Sequence, residues 1–345
     1  MKPFVLFLIA ICISACSSVD NTDIQRILDV DDCKIISDNL SDYIEDVKII
    51  KLEQSDSNFV YGISKILLAE DKLIIYSVGE LFAFNYNGEF LFRIGRLGRG
   101  PGEYIALNDV CISSFGDELL CLNHQNEVLR FSIADGAYRG MIKTEHGVSS
   151  DAIFPMSGST FAVFFANPPM NYQSKNFDHI KVFSKTGRKQ ESYLANLGFN
   201  IPIAFRPYSV QSAGNSYVLV PSPSSGPAYI FSEGKMMNFA DVRLGKNTLD
   251  AKRLSNQADP WVIVDSIFDE DCFKCPMLCQ TSDYQYLTVF GKNSSVWNFM
   301  FGDNNKIGWQ SIPDSAAPIF FKAADKEYFY FSYEESMLHA SSDPL

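Results

Sequence analysis

The chain has little histidine and little positive charge, and each shortage narrows its possible functions. Only 4 of its 345 residues are histidine, and no Gly-x-Ser-x-Gly sequence accompanies them, which disfavours a hydrolase with a serine–histidine–aspartate triad. Lysine and arginine number 29 against 41 aspartate and glutamate residues, giving a net charge of −12. Because nucleic acids and anionic lipid headgroups select cationic surfaces, we expect neither to be bound.

Signatures of nucleotide binding and of helical folds are also missing. The sequence lacks the Gly-x4-Gly-Lys-Ser/Thr motif of phosphate loops, and no Gly-x-Gly-x-x-Gly opens a helix. Helical periodicity is confined to two short stretches, residues 24–30 and 334–339. Runs rich in Phe, Tyr, Ile and Val, broken by Gly, Asn, Asp and Ser, occur throughout instead and predict an all-β fold.

The most apolar segment of the chain lies at its amino terminus. Residues 4–13 follow a lysine and are too few to span a membrane, which requires about 20 apolar residues. The run ends in Ile-Ser-Ala-Cys16-Ser, which has the form of a bacterial lipobox. We therefore predict a signal peptide over 1–15, lipidation of Cys16 and a tether over 16–41, with cleavage without lipidation as the alternative. Serine at position 17 favours the outer membrane, and periplasmic and surface orientations both stay open.

The central part of the chain repeats itself. Segments that begin at Asp71 and Asp117 align with two single-residue gaps and define a period of 46 residues, and weaker copies lie at 183–187 and 230–234. Each copy holds about four short strands, the third and fourth joined by a tight turn such as Asn87-Gly88. A period of roughly 40–50 residues with four strands per repeat is typical of a β-propeller blade.

These repeats predict a single six-bladed β-propeller over residues 42–345, built from four-stranded antiparallel blades. The predicted blades are 62–97, 104–143, 150–195, 206–242, 260–311 and 316–345. The strand over 42–52 precedes the first blade, and we expect it to close the ring as an outer strand of the last blade. The strand pattern fades after residue 332, so the last blade is either one strand short or belongs to a truncated chain.

Residues 95–104, Gly-Arg-Leu-Gly-Arg-Gly-Pro-Gly-Glu-Tyr, form the most distinctive segment. Four glycines and a proline prevent a regular element there. In the favoured interpretation the glycines permit a sharp crossing between blades, Glu103 pairs with an arginine and Tyr104 packs. In the other, glycine amides and the arginines bind an anion. Together with the loops on the same face, the segment supplies the candidate ligand-binding residues Arg96, Arg99, Glu103, Tyr104, Asn108, Asp109 and Tyr172.

The same segment resembles a family signature. Arg96–Tyr104 is similar to the Gly-x-Gly-Pro-Gly-Glu-Tyr sequence of six-bladed β-propeller lipoproteins from Gram-negative gut anaerobes. The strand Val47–Glu53 resembles the entry strand of that family, and Phe84–Gly88 resembles its first-blade turn. The resemblance implies the fold and an envelope location, but it brings no catalytic residues. The chain departs from the family at its end, where only Ser-Asp-Pro-Leu345 stands in place of a further strand after Asp-Asn-Pro.

The cysteines and histidines give weaker signals. Cys272, Cys275 and Cys279 are spaced Cys-x2-Cys-x3-Cys, which suits a metal site, a disulfide or inert thiols. Without a nearby histidine the metal interpretation is the least favoured, and inert thiols are the most favoured. Two further cysteines, Cys111 and Cys121, lie in apolar runs and are expected to be buried. The histidines beside predicted strands, at 124 and 179, are expected to be solvated or in turns.

We expect a monomeric binding module without a cofactor and without enzymatic activity. The expected partners are an envelope protein, a peptide or a glycan, with aromatic platforms such as Tyr104, Tyr172 and Tyr208. A calcium-dependent hydrolase or lyase with its site in the central channel is the first alternative. Its candidate ligands are Glu103, Asn108, Asp109 and Asp151. A purely structural envelope scaffold is the second alternative.

Overall fold

The fold is that of a computed structural model, which describes residues 26–37, 40–55, 58–144, 150–158, 160–166, 177–195, 209–246, 248, 272–292, 295–311 and 320–332. Within these ranges the helices are three short 3-10 turns, Val30–Asp32, Leu40–Tyr43 and Ala213–Asn215. No helix in the described ranges has the length and apolar character that crossing a membrane requires. The prediction of an all-β fold is confirmed.

The strands follow one another at short intervals along the described chain. In order they are β1 (Ile27–Asp29), β2 (Lys34–Ile35), β3 (Ile63–Leu68), β4 (Lys72–Ser77), β5 (Glu80–Asn85), β6 (Phe90–Ile94), β7 (Arg96–Leu97), β8 (Glu103–Tyr104), β9 (Leu107–Ile112), β10 (Glu118–Asn123), β11 (Glu127–Ser132), β12 (Tyr138–Lys143), β13 (Ala152–Pro155), β14 (Phe161–Phe164), β15 (Asp178–Phe183), β16 (Lys189–Ala195), β17 (Val210–Ser212), β18 (Ser216–Leu219), β19 (Gly226–Ser232), β20 (Lys235–Arg243), β21 (Lys274–Gln280), β22 (Gln285–Phe290), β23 (Val296–Phe301), β24 (Lys306–Gln310), β25 (Phe321–Ala324) and β26 (Phe329–Phe331).

Consecutive strands pair into antiparallel meanders. Three sheets consist of one four-stranded meander each, β3–β6, β9–β12 and β13–β16. A five-stranded sheet contains the meander β21–β24, and a seven-stranded sheet contains the meander β17–β20 together with the hairpin β25–β26. These meanders coincide closely with the predicted blade limits, and their arrangement is that of a β-propeller.

The strands are apolar on both faces because neighbouring sheets cover both faces. In β4 the three consecutive residues Leu73, Ile74 and Ile75 are all buried, as expected for a strand without a solvent-facing side. Between the third and fourth meanders the rings of Phe154 and Phe231 stack with their centroids 3.9 Å apart. Such contacts between sheets bury apolar surface, which stabilises the fold.

The first strands of the chain lie on the outer edges of two sheets. The strand β1 pairs in parallel with β20, and β2 pairs in parallel with β24. Residues 27–35 were expected to belong to the tether, and this part of the expectation is wrong. The ordered domain begins before residue 42 because short extended segments satisfy the open hydrogen-bonding edges of the outer strands.

Turn glycines pack the sheets against one another in a repeated way. A Cβ atom on Gly136, in the last turn of the second meander, would stand 3.0 Å from the carbonyl oxygen of Arg93 on β6. The equivalent atom on Gly187, in the third meander, would overlap the carbonyl oxygen of Lys143 on β12. Glycine is therefore required where the last turn of one sheet crosses the outer strand of the sheet before it.

The amino-terminal segment meets the first sheet in the same way. A Cβ atom on Gly88, in the last turn of the first meander, would overlap the carbonyl oxygen of Lys51 and lie 3.4 Å from the Cγ2 atom of Ile50. The predicted strand over 42–52 is not observed as a hydrogen-bonded strand: residues 40–43 form a 3-10 turn and residues 44–52 are irregular. This prediction was wrong in detail, because Lys51 joins the first sheet through the Gly88 turn rather than through a ladder.

The inner strands meet at the axis of the ring. The Gln211 side chain on β17 accepts a hydrogen bond from the backbone nitrogen of Leu68 on β3, 2.6 Å, and donates one to the Leu68 carbonyl oxygen, 2.9 Å. Gln211 also pairs in parallel register with Ala323 on β25. Strands from two meanders and from the hairpin β25–β26 are thereby joined.

Candidate functional site

The glycine-rich segment forms a compact link between the first two meanders. Its two short strands, β7 and β8, pair in parallel, with Arg96 opposite Glu103 and Leu97 opposite Tyr104. The backbone nitrogen of Gly98 donates to the Tyr104 carbonyl oxygen at 3.0 Å. These hydrogen bonds join the two ends of the link to each other, which fixes the backbone conformation of the loop.

Glu103 holds this loop from within. Its Oε2 atom accepts a hydrogen bond from the backbone nitrogen of Gly100 at 2.8 Å. Its Oε1 atom lies 3.5 Å from Nε of Arg96, whose side chain is 74% exposed. An ion pair this exposed contributes at most about 1 kcal/mol. The carboxylate is therefore used by the loop, while Arg96 and the exposed Arg99 present their guanidinium groups to solvent.

Tyr104 anchors the link in the interior. The side chain is buried, its hydroxyl donates to the Ile94 carbonyl oxygen at 3.0 Å, and the backbone nitrogen of Leu81 donates to that hydroxyl at 3.2 Å. Burial raises the pKa of the Tyr104 phenol above its ordinary value. The ring packs edge-on against Phe131 with centroids 6.4 Å apart. Tyr104 therefore packs, as the favoured interpretation of the segment predicted, and the other expectation, that it presents an aromatic platform, is corrected.

The candidate residues Asn108 and Asp109 lie on β9, the inner strand of the second meander, and bind neighbouring segments. Asn108 donates through Nδ2 to the Ser150 carbonyl oxygen at 2.7 Å. Asp109 is buried and lies 2.7 Å from Nζ of Lys65. Its other oxygen accepts from Ser209 Oγ at 2.6 Å and from the backbone nitrogen of Ile153 at 2.9 Å. We call Lys65, Asp109 and Ser209 the axial cluster.

The axial cluster neutralises its own charges. The Nζ atom of Lys65 also donates to Ser209 Oγ at 2.6 Å and lies 5.7 Å from the ring centre of Tyr217. Because Asp109 already faces an ammonium group, it is poorly placed to ligate calcium. Asp151, another proposed ligand, accepts from the backbone nitrogen of Ala166 at 2.7 Å. Across the described ranges no three His, Cys, Asp or Glu residues gather as metal ligands.

Sequence reasoning missed Lys65 and Ser209. A lysine inside the apolar strand Ile-Ser-Lys-Ile-Leu-Leu was the available signal, because a charge in a doubly covered strand requires a buried partner. The identity of that partner was not readable, since Ser209 is separated from Lys65 by 144 residues.

A cluster of exposed apolar side chains was also missed. It lies where β3 begins, where β4 turns into β5 and where the glycine-rich link crosses. A Cβ atom on Gly62 would be 3.9 Å from Cγ2 of Val78, and one on Gly79 would be 3.9 Å from Cδ2 of Leu97. We call this surface the apolar patch; it consists of Val78 and Leu97 with Phe59, Tyr61 and Ile105, which lie beside these contacts in the chain, each at least 50% exposed.

The described cysteines are all free thiols, namely Cys33, Cys111, Cys121, Cys272, Cys275 and Cys279. The disulfide considered for the Cys-x2-Cys-x3-Cys segment is therefore not formed here. Burial raises the pKa of Cys275 to about 12 and also raises that of the fully buried Cys279, which makes both poor nucleophiles.

His179 departs from its expected place. It lies on β15 and is buried, with Nδ1 2.8 Å from the Phe165 carbonyl oxygen, whereas it was expected in solvent or in a turn. His124 does lie in an exposed turn, between β10 and β11. The remaining predicted positions, Cys16, Tyr172 and Tyr208, lie outside the described residues.

These meanders and their loop face define an all-β propeller domain. The chain belongs to the family described as a domain of unknown function (DUF4934), which matches residues 25–340. A solved structure from Bacteroides fragilis, described as a “putative exported protein”, is similar with a TM-score of 0.64 and 14% identity over 84% of this chain and 82% of that one. At this identity the similarity concerns the fold alone.

A second solved structure, BamB from Moraxella catarrhalis, aligns with a TM-score of 0.40 and 11% identity over 72% of this chain and 75% of that one. A score this low adds no argument of its own. The chain matches no curated protein sequence.

Proposed function

We propose that this protein is a monomeric, lipid-anchored β-propeller of the cell envelope that binds a partner through its loop face and catalyses no reaction. The observation that carries the proposal is the apolar patch, where five large side chains from three segments stand in solvent. Apolar surface gathered in this way marks interaction sites on soluble proteins. The axial cluster agrees with a binding role, because its charged groups are paired with one another rather than held for a substrate.

Six blades are part of this proposal. Five four-stranded meanders and the hairpin β25–β26 would occupy the six positions. The contact of Gly88 with Ile50 and Lys51 matches that of Gly187 with Ile142 and Lys143 on an outer strand. Residues 50–51 would thus stand where the outer strand of the sixth blade belongs. The hydroxyl of Tyr328 on that hairpin donates to Asp46 Oδ2 at 3.0 Å, which supports the same placement.

The envelope location rests on the amino-terminal pattern and on one similar structure. Residues 1–15 would be removed as a signal peptide, Cys16 would carry the lipid, and the residues that follow would link it to the domain in the outer membrane. The similar protein from Bacteroides fragilis is itself described as exported, which agrees with this location. An envelope protein, a peptide or a glycan is the partner class for such a site.

Site-specific photocrosslinking in the native cells tests the binding role. A photoreactive amino acid at Leu97, inside the apolar patch, should give a discrete adduct. The same substitution at Phe115, which is 69% exposed in the turn between β9 and β10 at the opposite end of the strands, is the control and should give none. Protease and glycosidase treatment identify the adduct as protein or glycan. No adduct at Leu97, or equal adducts at both positions, would refute the proposal.

The anchor is tested separately. A Cys16→Ser variant should lose metabolic labelling with palmitate and move from the membrane fraction to the soluble fraction. If it keeps its membrane association and the unaltered protein takes up no label, the lipid anchor is refuted while the binding role is not.

A further inference from the structure

Val78 occupies a turn that does not suit it. It lies with Gly79 in the two-residue connection between β4 and β5, where Ser77 pairs with Glu80. Both turn residues have positive φ, 43° at Val78 and 82° at Gly79. This turn favours Asn-Gly, because asparagine tolerates the left-handed region whereas the branched Cβ of valine clashes there. Valine at this position therefore stores local strain.

The Val78 side chain buries little of its apolar surface in the fold. It is 64% exposed, so its methyl groups stand largely in solvent. A residue that is both strained and exposed contradicts two folding preferences at once. Such local contradictions concentrate at binding sites, where a partner supplies the missing contacts.

The surface around Val78 is preorganised. The backbone nitrogen of Tyr61 donates to Ser77 Oγ at 3.0 Å, and that hydroxyl donates in turn to the Tyr61 carbonyl oxygen at 2.5 Å. Leu97 is held by its pairing with Tyr104, and Ile105 follows directly in the chain. The patch is therefore fixed by hydrogen bonds to a strand and by a buried tyrosine, so a partner would pay little entropy to order it.

The charges beside the patch indicate what the partner carries. Arg96 and Arg99 are exposed next to Leu97, and within the described ranges Arg99 has no carboxylate partner. Two exposed guanidinium groups, of which Arg96 alone lies near a carboxylate, that of Glu103, favour a partner with local carboxylates on a chain of net charge −12. That net charge also opposes adsorption to an anionic bilayer. The branched side chains of Val78, Leu97 and Ile105 outnumber the two rings of the patch, Phe59 and Tyr61, and suit the filling of apolar pockets between side chains better than stacking on a sugar ring.

We propose that the apolar patch, with Val78 at its centre, binds a protein segment in which large apolar side chains are flanked by aspartate or glutamate. The inference rests on the proposed binding role of the loop face and adds the chemistry of the partner. The apolar side chains of the segment contact Val78 and Leu97, and its carboxylates pair with Arg96 and Arg99.

A library of random 12-residue peptides displayed on phage, selected on the full-length protein, tests the inference. The selected peptides should be enriched in Leu, Ile or Phe next to Asp or Glu. Synthetic peptides from the selection should bind at least tenfold more weakly to Val78→Asn and to Arg99→Glu. Binding to Phe115→Ser, which removes an exposed phenylalanine at the other end of the strands, should not change.

The Val78→Asn variant also controls for misfolding. Its melting temperature should equal or exceed that of the unaltered protein, because asparagine suits the turn. A selection without acidic and apolar enrichment, no selected peptide, or unchanged binding to Val78→Asn would overturn the inference. The inference would also be overturned if the protein bound no peptide and bound only to vesicles of three parts phosphatidylethanolamine and one part phosphatidylglycerol. If the crosslink at Leu97 yields a glycan and no selected peptide binds, the proposed binding role is supported and this inference is refuted.

Discussion

The ammonium group of Lys65 and the carboxylate of Asp109 lie 2.7 Å apart, with only 9% and 10% of their side chains exposed. They belong to the inner strands of the first two meanders, and Ser209 joins them to the fourth. A buried ion pair is net stabilising only if its remaining hydrogen-bonding capacity is filled. Here Ser209 and the backbone nitrogen of Ile153 fill it for Asp109.

Removing one partner should therefore cost much more than removing an exposed ion pair. We expect Lys65→Met to lower the free energy of unfolding by about 3–5 kcal/mol, because Asp109 would be left charged and buried. Lys306→Met is the matched control, since Lys306 pairs with Asp32 at 2.8 Å in solvent, and it should change stability by less than about 1 kcal/mol. Urea unfolding followed by tryptophan fluorescence measures both. Adding Asp109→Asn to Lys65→Met should restore part of the loss, and equal effects of the two lysine variants would contradict the account.

The placement of Lys51 against the first sheet can be tested through glycine. We expect Gly88→Ala and Gly187→Ala to destabilise the protein by similar amounts, since each new methyl group would overlap a carbonyl oxygen of a neighbouring segment. Gly116→Ala is the control: its φ is +74°, but nothing lies within 4 Å of the new atom. The control should lose about 1–2 kcal/mol through backbone strain alone, and the other two about 1–3 kcal/mol more. Thermal unfolding that ranks Gly88→Ala with Gly116→Ala would show that residues 50–51 do not pack there.

His179 should make the protein sensitive to mild acid. Desolvation lowers the pKa of this buried imidazole below its ordinary value near 6.5. Above that value both the folded and the unfolded states are neutral, so the histidine adds no pH dependence. As the pH falls below it, the unfolded state takes up a proton that the folded state resists, and stability is lost.

Denaturant unfolding at pH 7.5 and pH 5.5 measures this effect. The unaltered protein and the exposed-turn control His124→Gln should lose more stability over this interval than His179→Gln. His179→Gln should be less stable at pH 7.5, because the hydrogen bond to the Phe165 carbonyl oxygen is disturbed. An identical pH dependence in all three proteins would mean that His179 is not buried as described.

The cysteines after Cys16 should be recovered as thiols. When the protein is unfolded in guanidinium without reductant and alkylated, peptide mass spectrometry should find Cys272, Cys275 and Cys279 fully modified. In the native protein at pH 7.5, Cys279 should react far more slowly, because burial raises its pKa and blocks access. A mass lower by two hydrogens between any two of these cysteines would instead establish a disulfide.

Most of the fold could be predicted from the repeat pattern, because the residues that define each strand and turn are close together in the chain. Turn chemistry such as that of Asn85 and Gly88 appears in consecutive residues: the nitrogens of Asn87 and Glu89 both donate to Asn85 Oδ1. Strand periods and turns of this kind are set by nearest neighbours in the chain. The all-β class, the propeller arrangement and the approximate limits of the meanders therefore followed from sequence.

The site was less predictable because its information is not local. Lys65 finds Ser209 only after four meanders have assembled, and no pattern links residues at that separation. The sequence allowed Tyr104 either to pack or to form a surface platform, and the hydrogen bonds of its hydroxyl to Ile94 and Leu81 decide for packing. Conversely, valine is common in strands, and only the φ of 43° at Val78 reveals a turn. The burial of a side chain and the sign of a residue's backbone φ are properties of the assembled ring.

The contact between Tyr328 and Asp46 also imposes an order in time. The two residues are separated by 282 positions, and Lys48 lies 4.1 Å from the ring centre of the same tyrosine. A chain that emerges amino terminus first exposes Asp46 and Lys48 long before Tyr328 follows. Contacts of such high sequence separation form late, because the intervening loop must lose its entropy first. Asp46 and Lys48 therefore wait for Tyr328 until nearly all of the domain has emerged, and in that interval the protein is most open to misassembly and to capture by chaperones.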